Sequence, residues 1–285
     1  MGLSRVERVR VLLRLIKVEH TLFALPFLYS GAVLASGGVP EGRVLLWITL
    51  GLFAARTAGM CLNRLIDREI DAANPRTARR VEMLNLLSPR FVWHTVAVSF
   101  ALLLLSALML NPLCVLLFPL VAALLVVYPY TKRFTWLSHL VLGSALGMAP
   151  LGAWAAVRGS IELPALLLFA AVMFWVAGFD VIYALQDVEF DLRYGLFSIP
   201  ARFGEEAALR LSEGLHLMSL LSLWLLMRVC ELGAVYGFGL VVMGGILALE
   251  HLLARRRRIG AAFFHANAVF SAAFLVFILL GVVLR

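Results

Sequence analysis

The sequence predicts an all-α membrane protein, a polytopic bundle of nine transmembrane helices. Three observations carry that expectation. The chain of 285 residues is 62% hydrophobic and only 15% charged, with a mean hydropathy of +0.96, far more apolar than a soluble domain. Apolar runs of about twenty residues, enough to cross a bilayer as a helix, recur along the whole chain. The basic residues fall between the runs, and mostly at alternate breaks.

Residues 4–18 interleave Arg5, Arg8, Arg10, Arg14 and Lys17 with Val6, Val9, Leu12, Leu13 and Leu15. That pattern predicts an amphipathic helix on the membrane surface, so residues 1–20 read as an interfacial tail. A basic start followed by apolar sequence from Thr21 has the outline of a signal peptide. Eight further apolar runs follow, and a retained first helix is expected instead. Spans are expected at 21–36, 44–66, 92–110, 112–129, 136–156, 164–187, 211–230, 234–253 and 262–284. Gly37-Gly38-Val39-Pro40, Asn111-Pro112, Gly159 with Pro164, and Gly233 mark turns between them. No composition break separates the runs, so residues 1–285 read as one transmembrane domain.

Charge sets an orientation. Twenty of the twenty-five Lys and Arg residues lie in the N-terminal tail or in the loops after spans two, four, six and eight. Arg43, Arg158, Arg228 and Arg285 fall on the other face, and Arg56 lies inside span two. The N-terminus and the loops after even-numbered spans are therefore expected to be cytoplasmic and the C-terminus on the outer side of the cell membrane. The net charge of +8 suits topology and anionic lipid, and no nucleic-acid partner is expected. Cys61, Cys114 and Cys230 lie far apart in apolar segments, and the six histidines show no paired spacing for haem or zinc. Nothing in the sequence calls for an obligate protein partner.

Two acidic stretches stand out: Asn63-Arg64-Leu65-Ile66-Asp67-Arg68-Glu69-Ile70-Asp71 and Asp187-Val188-Glu189-Phe190-Asp191. Each closes an even-numbered span, so both open on one face, where Tyr128-Pro129-Tyr130-Thr131-Lys132-Arg133 joins them. This placement hints at an old duplication, with spans one to four echoing five to eight. Arg56, Met60, Asn63, Asp67 and Asp71 follow one another at steps of three or four residues, as do Asp180, Tyr183, Asp187 and Asp191. Such steps keep one helix face. Acids at the mouths of membrane helices are costly and need a reason.

Two pairs of aspartates facing each other offer hard oxygen ligands suited to Mg²⁺ that shares its shell with phosphate oxygens. Arg64, Lys132 and Arg68 are then placed to neutralise a diphosphate. A solvated helix end or an arginine ion pair is the plainer alternative for any one carboxylate, Glu69 and Glu189 above all. Arg56 and Asp180 lie deeper, either paired with each other or reaching a substrate. A diphosphate held in an apolar bundle points to an allylic prenyl donor, whose carbon–oxygen bond ionises once the leaving group is stabilised. The resulting carbocation needs a dry, aromatic chamber, and Phe23, Phe27, Phe174, Trp175 and Phe179 are available unless they serve only packing.

Together, Asn63-Arg64-x-x-Asp67-x-x-x-Asp71, Tyr128-x-x-x-Lys132 and Asp187-x-x-x-Asp191 resemble the UbiA superfamily of intramembrane aromatic prenyltransferases, over nearly the whole chain. Lys17 to Phe27, Asn74-Pro75-Arg76-Thr77 and Ser198 to Gly204 resemble its branch acting on 4-hydroxybenzoate or 1,4-dihydroxy-6-naphthoate, in ubiquinone or menaquinone synthesis. The resemblance implies Asn63, Asp67 and Asp71 on one Mg²⁺ and Asp187 and Asp191 on a second. It implies Tyr128 and Lys132 on the departing diphosphate. Lys17, His20 and Arg56, with Asp180 and Tyr183 on the same inner faces, are candidates for substrate contacts. The implied substrates are a polyprenyl diphosphate and an aromatic carboxylic acid, met within the lipid bilayer. One stretch departs from the family: residues 78–87 replace its usual Arg-x-Leu-Pro-x-Gly-like turn, so an altered or shortened cap over the site is expected.

Three rivals remain. An ion-coupled transporter would also place acids in membrane helices, but at the midplane and commonly on broken helices. Other branches of the superfamily act on homogentisate, haem, chlorophyllide or a glycerol phosphate. A CDP-alcohol phosphotransferase would need an Asp-Gly-x-x-Ala-Arg stretch that this sequence lacks.

Overall fold

The computed structural model describes residues 4–284; the side chains of residues 19, 20, 22 and 261–263 lie outside the described set. Helix α1 (Arg5–Leu15) starts at a capping box in which Ser4 and Glu7 satisfy each other's backbone amides. Its buried side carries Leu15 and, packed beside it, Val11 and Leu12. Val6, Val9 and Leu13 remain exposed, as an interfacial helix requires.

The body consists of α2 (Leu25–Ser36), α3 (Gly42–Ile66), α6 (Pro89–Leu110), α7 (Pro112–Thr131), α8 (Ser138–Arg158), α9 (Leu163–Ala184), α12 (Glu205–Val229), α13 (Gly233–Arg255) and α15 (Asn267–Val283). Short helices fill the connections: α4 (Arg68–Ala73), α5 (Ala78–Leu87), α10 (Val188–Tyr194), α11 (Ile199–Phe203) and the single turn α14 (Ile259–Ala261). No strand occurs among the described residues. Each long helix packs on its neighbour in this chain order, and α15 returns to α2, so the helices form a closed ring. Cross-ring packing of α2 on α8 and of α3 on α7 and α8 narrows its interior.

Local sequence explains the breaks. Asn111 caps α7 by accepting from the Cys114 amide at 3.0 Å, while its amide group donates to the Ala155 and Ala156 carbonyls. Pro112 then occupies the first turn, where no amide hydrogen is needed. Two glycines set how closely helices approach. A Cβ on Gly31 would lie 2.4 Å from the Pro150 carbonyl oxygen, and one on Gly143 would lie 2.2 Å from that of Met173. Small residues at such crossings are how membrane helices gain contact without a hydrophobic driving force. Outward, the bundle is apolar: Leu116, Val241 and Phe238 are all exposed, which suits contact with lipid.

Seven described helical segments are long and apolar enough to cross a membrane. The expected first span is shorter than its apolar run: Val18–Phe23 forms a 3₁₀ turn and α2 adds twelve residues. Those twelve rise roughly 18 Å, against a hydrocarbon core of about 30 Å. Helix α12 has the length but carries Ser212, His216, Ser219 and Ser222 buried against its neighbours. The last helix begins with a π-helical turn at Ala262–Ala266.

Candidate active site

Both acidic stretches end their helices alike. Helix α3 stops at Ile66, and Asp67 (φ −90°, ψ 10°) leads into α4. Helix α9 stops at Ala184, and after one 3₁₀ turn Asp187 (φ −112°, ψ 2°) leads into α10. Both residues sit near the bridge region of backbone space. Helical hydrogen bonds run across the first break, from the Asp67 amide to the Asn63 carbonyl and from the Asp71 amide to the Asp67 carbonyl. The four-residue spacing therefore keeps its meaning despite the breaks, which the sequence expectation of continuous helices did not include.

These ends surround a cavity of about 360 Å³. Of the predicted site residues, Lys17, Arg56, Asn63, Arg64, Asp67, Asp71, Tyr128, Lys132, Asp180, Tyr183, Asp187 and Asp191 line it, and Arg68 does not. His20 lies outside the described side chains. One end of the cavity is charged. The other is walled by Phe23, Phe27, Trp175 and Phe179, with Phe27 and Trp175 centroids 4.7 Å apart and Trp175 stacked on Phe270 at 5.1 Å. Phe174 is not among the lining residues.

Within the charged end, basic side chains stand between the carboxylates. Lys132 Nζ donates to Asp67 Oδ2 at 2.6 Å, and Asn63 Nδ2 donates to the same oxygen at 2.8 Å. Arg80 lies 3.1 Å from Asp71 Oδ1, with buried Arg64 at 4.0 Å from Oδ2. Arg76 forks onto Asp187 and also donates to the Tyr183 hydroxyl at 2.8 Å, its guanidinium over the Tyr183 ring. Asn74 Nδ2 adds a bond to Asp187 Oδ1 at 3.0 Å. Ser198 donates to Asp191 at 2.8 Å. Asp187 holds Arg76 above its ordinary value although burial pulls the other way, whereas burial pushes Lys17 down.

Direct convergence of four aspartates on one point is thus not the arrangement seen. No group of three or more His, Cys, Asp and Glu side chains converges as a metal site among the described residues. The chemistry of a hard cation nonetheless fits. Asp67 Oδ1 and Asp71 Oδ2 are buried without a hydrogen bond, leaving lone pairs unspent where burial makes them costly. Asp67 Oδ1 does lie 3.2 Å from Arg133, an electrostatic contact that lacks hydrogen-bond geometry.

The deeper residues do not pair with each other, which was one of the two sequence alternatives. Asp180 accepts from His139 at 2.7 Å, and Arg56 does not reach it as an ion pair. Arg56 Nε is buried with no hydrogen bond and lines the same cavity. Arg68 turns outward and bonds Asn85, and it does not line the cavity. Arg76 and Arg80 line the cavity instead, against Asp187 and Asp71, and sequence reading missed both. Arg76 stood in a quoted motif, and only its contact with Asp187, 111 residues away, gives it a role. Residues 78–87 form α5 rather than a shortened loop. Leu84 and Leu87 bury against α1, and this packing presents Arg80 to Asp71.

Residues 24–278 match the UbiA prenyltransferase family. The chain is 33% identical over 249 residues to the 4-hydroxybenzoate octaprenyltransferase of Saccharophagus degradans, covering 85% of this chain and 82% of that one. Its fold matches the apo structure of a UbiA homolog from Aeropyrum pernix K1, with TM-score 0.84, 34% identity and coverage of 91% and 97%. A UbiA homolog from Archaeoglobus fulgidus bound to DMAPP and Mg²⁺ shares the fold at TM-score 0.66 and 21% identity, covering 94% and 98%.

Proposed function

The chain belongs to the UbiA prenyltransferase family, and from that premise we propose that it transfers a polyprenyl group from an allylic diphosphate to a ring carbon of an aromatic acid. The acceptor is 4-hydroxybenzoate or a dihydroxynaphthoate, diphosphate is released, and the product serves quinone biosynthesis. One observation carries the reading: a single cavity joins a carboxylate- and arginine-rich mouth to an aromatic end. The first suits a diphosphate head and the second its hydrocarbon tail.

Asp67, Asp71 and Asp187 would exchange their basic partners, and Asp191 its bond from Ser198, for two Mg²⁺ ions that Asn63 would also help to hold. The metals supply charge to stabilise the leaving diphosphate. Lys132, Arg64, Arg76 and Arg80, released from the carboxylates, turn to the phosphate oxygens, and Tyr128 adds a hydroxyl beside them. Such an exchange keeps the mouth near neutrality before and after substrate binds. Phe27, Trp175 and Phe179 keep water from the allylic cation and offer it their faces. Arg56, with its unspent Nε, receives the acceptor carboxylate, and Lys17 covers the mouth. The acceptor hydroxyl raises electron density at its ortho carbon, which attacks the cation.

In this reading residues 1–285 act as one domain, and α2 and α12 join the seven long apolar segments as the eighth and ninth spans. The N-terminus and the active-site mouth face the cytoplasm and the C-terminus the outer side. The similarity to octaprenyltransferases supports the acid acceptor and leaves chain length to the width of the chamber.

A product assay by mass spectrometry on detergent-purified protein tests the reading. It would hold Mg²⁺, geranyl or geranylgeranyl diphosphate, and 4-hydroxybenzoate or 1,4-dihydroxy-6-naphthoate in parallel, with an EDTA control. A metal-dependent product of acceptor plus prenyl mass is expected. No product from folded protein with either acid would overturn the acceptor class.

A further inference from the structure

Resting on the aryl-prenylation reading above, we propose that Asp180 is the base that removes the ring proton from the prenylated acceptor, with His139 as its positioning residue. The reaction needs such a group. When the ring carbon attacks the allylic cation it becomes tetrahedral, bearing both the new prenyl group and its original hydrogen. Aromaticity returns only when that hydrogen leaves as a proton.

Asp180 lines the cavity seven residues before Asp187 on the same helix face, so it lies roughly 10 Å deeper. Leu142, Leu146, Val176 and Phe179 line the same cavity. Asp67, Asp71 and Asp187 are each engaged by an arginine or lysine, whereas Asp180 has no such partner among the described residues. Its one ion-pair contact there is His139 Nδ1, 2.7 Å from Oδ2. The side chain stays 20% exposed, open to the cavity it lines.

The tautomer of His139 follows from its other nitrogen. Nε2 lies 3.3 Å from the Ile199 backbone amide, which can only donate, so Nε2 carries the lone pair. The proton is therefore on Nδ1 and points at Asp180. A neutral histidine fixed in this way holds one carboxylate oxygen as an acceptor and aims the other at the cavity. The backbone that fixes it is not incidental: Ser198, the preceding residue, bonds Asp191. One short stretch thus holds an acid of the diphosphate mouth and the orienting histidine of the deeper acid.

The step balances without a further reactant. The C–H bond breaks, its electron pair returns to the ring, and the proton passes to an Asp180 oxygen. As product and diphosphate leave, the proton goes to water or diphosphate and the carboxylate is restored.

The test uses 4-hydroxybenzoate deuterated at both carbons ortho to the hydroxyl, with the full-length protein in detergent. Wild-type enzyme should show an isotope effect near unity on kcat, because ionisation of the allylic diphosphate limits the rate. In Asp180→Asn, proton removal should become limiting. We expect kcat to fall about 100-fold or more, the range that general-base groups supply, with a primary isotope effect and little change in either KM. If that variant does not fold, His139→Gln decides: kcat should fall by up to about 100-fold, the cost of a misplacement of roughly 1 Å, and the isotope effect should again exceed unity. A unit isotope effect and unchanged kcat in the variants overturns the proposal, as does a loss confined to KM. Wild-type protein that turns over neither acid would instead count against the reaction class itself.

Discussion

Asp67 and Asp187 hold the same structural position in two parts of the chain 120 residues apart. Each follows the end of a long helix, takes a bridge-region backbone (φ −90° and −112°), and starts a short helix bearing a second aspartate one turn on. Each is also held by a basic side chain from a distant segment, Lys132 for Asp67 and Arg76 for Asp187. The acidic pairs are therefore not solvated helix ends. Asp67, Asp71 and Asp187 each face a basic side chain, and Asp191 accepts from Ser198.

Asp67→Asn and Asp187→Asn should each abolish turnover, by about 1,000-fold or more, since removing charge stabilisation of a leaving group costs on that order. Folding should survive, because the amide still accepts from Lys132 or Arg76. Product assays alongside thermal unfolding check both halves. Activity retained in either variant would sink the metal assignment.

Lys132→Ala should lower kcat while leaving the acceptor KM nearly unchanged. Lys132 acts on charge that grows as the carbon–oxygen bond breaks, so its contribution belongs to the transition state. Steady-state kinetics with varied acceptor decides this. A large rise in acceptor KM at constant kcat would place Lys132 on the acid instead.

Much of this site was legible because helical spacing survives into the structure. The steps of three and four from Arg56 to Asp71 and from Asp180 to Asp191 put those side chains on one cavity. What was not legible depends on contacts between distant residues. The His139–Asp180 pair spans 41 residues and the Arg76–Asp187 pair 111, and no local pattern marks either. Arg68 misled for a related reason: its sequence position beside Asp67 says nothing of the direction it takes once the helix breaks there. The apolar runs are helical as expected, and seven of the described segments have the length and apolarity to cross a membrane, but α2 shows that an apolar run need not be one continuous α-helix.

Lys17 gives the site an alkaline limit. Burial lowers its ammonium below the ordinary lysine value, and the nearby Arg80, Arg64 and Arg76 act in the same direction, opposed by Tyr183. Between the folded and unfolded values the unfolded chain holds more protons, so this group adds stability as pH rises through that window. Anion binding has the opposite sign, since it needs the charged form and takes up a proton. The KM for the diphosphate should therefore rise on the alkaline side, at a pH below the ordinary lysine value of about 10.4. Lys17→Arg should remove that limb from a KM–pH profile. An unchanged limb in the variant would exclude Lys17 as its source.

Gly143→Ala should destabilise the fold without touching the charged mouth. The added Cβ would meet the Met173 carbonyl at 2.2 Å, and backbone cannot yield as a flexible side chain does. Forced separation of α8 and α9 should cost about 1–3 kcal/mol, read as a lower melting temperature in detergent. A melting temperature equal to wild type would show that the two helices part freely at this crossing.

The most direct measurement is calorimetric binding of geranyl S-thiolodiphosphate, a donor analogue slow to ionise, with and without Mg²⁺. Wild-type protein, Asp67→Asn and Asp187→Asn would be titrated in turn. Binding that needs Mg²⁺ in the wild type and disappears in both variants is the predicted result. Equal affinity without metal, or variants that bind as the wild type does, would contradict an exchange of basic partners for Mg²⁺ at the two aspartate breaks.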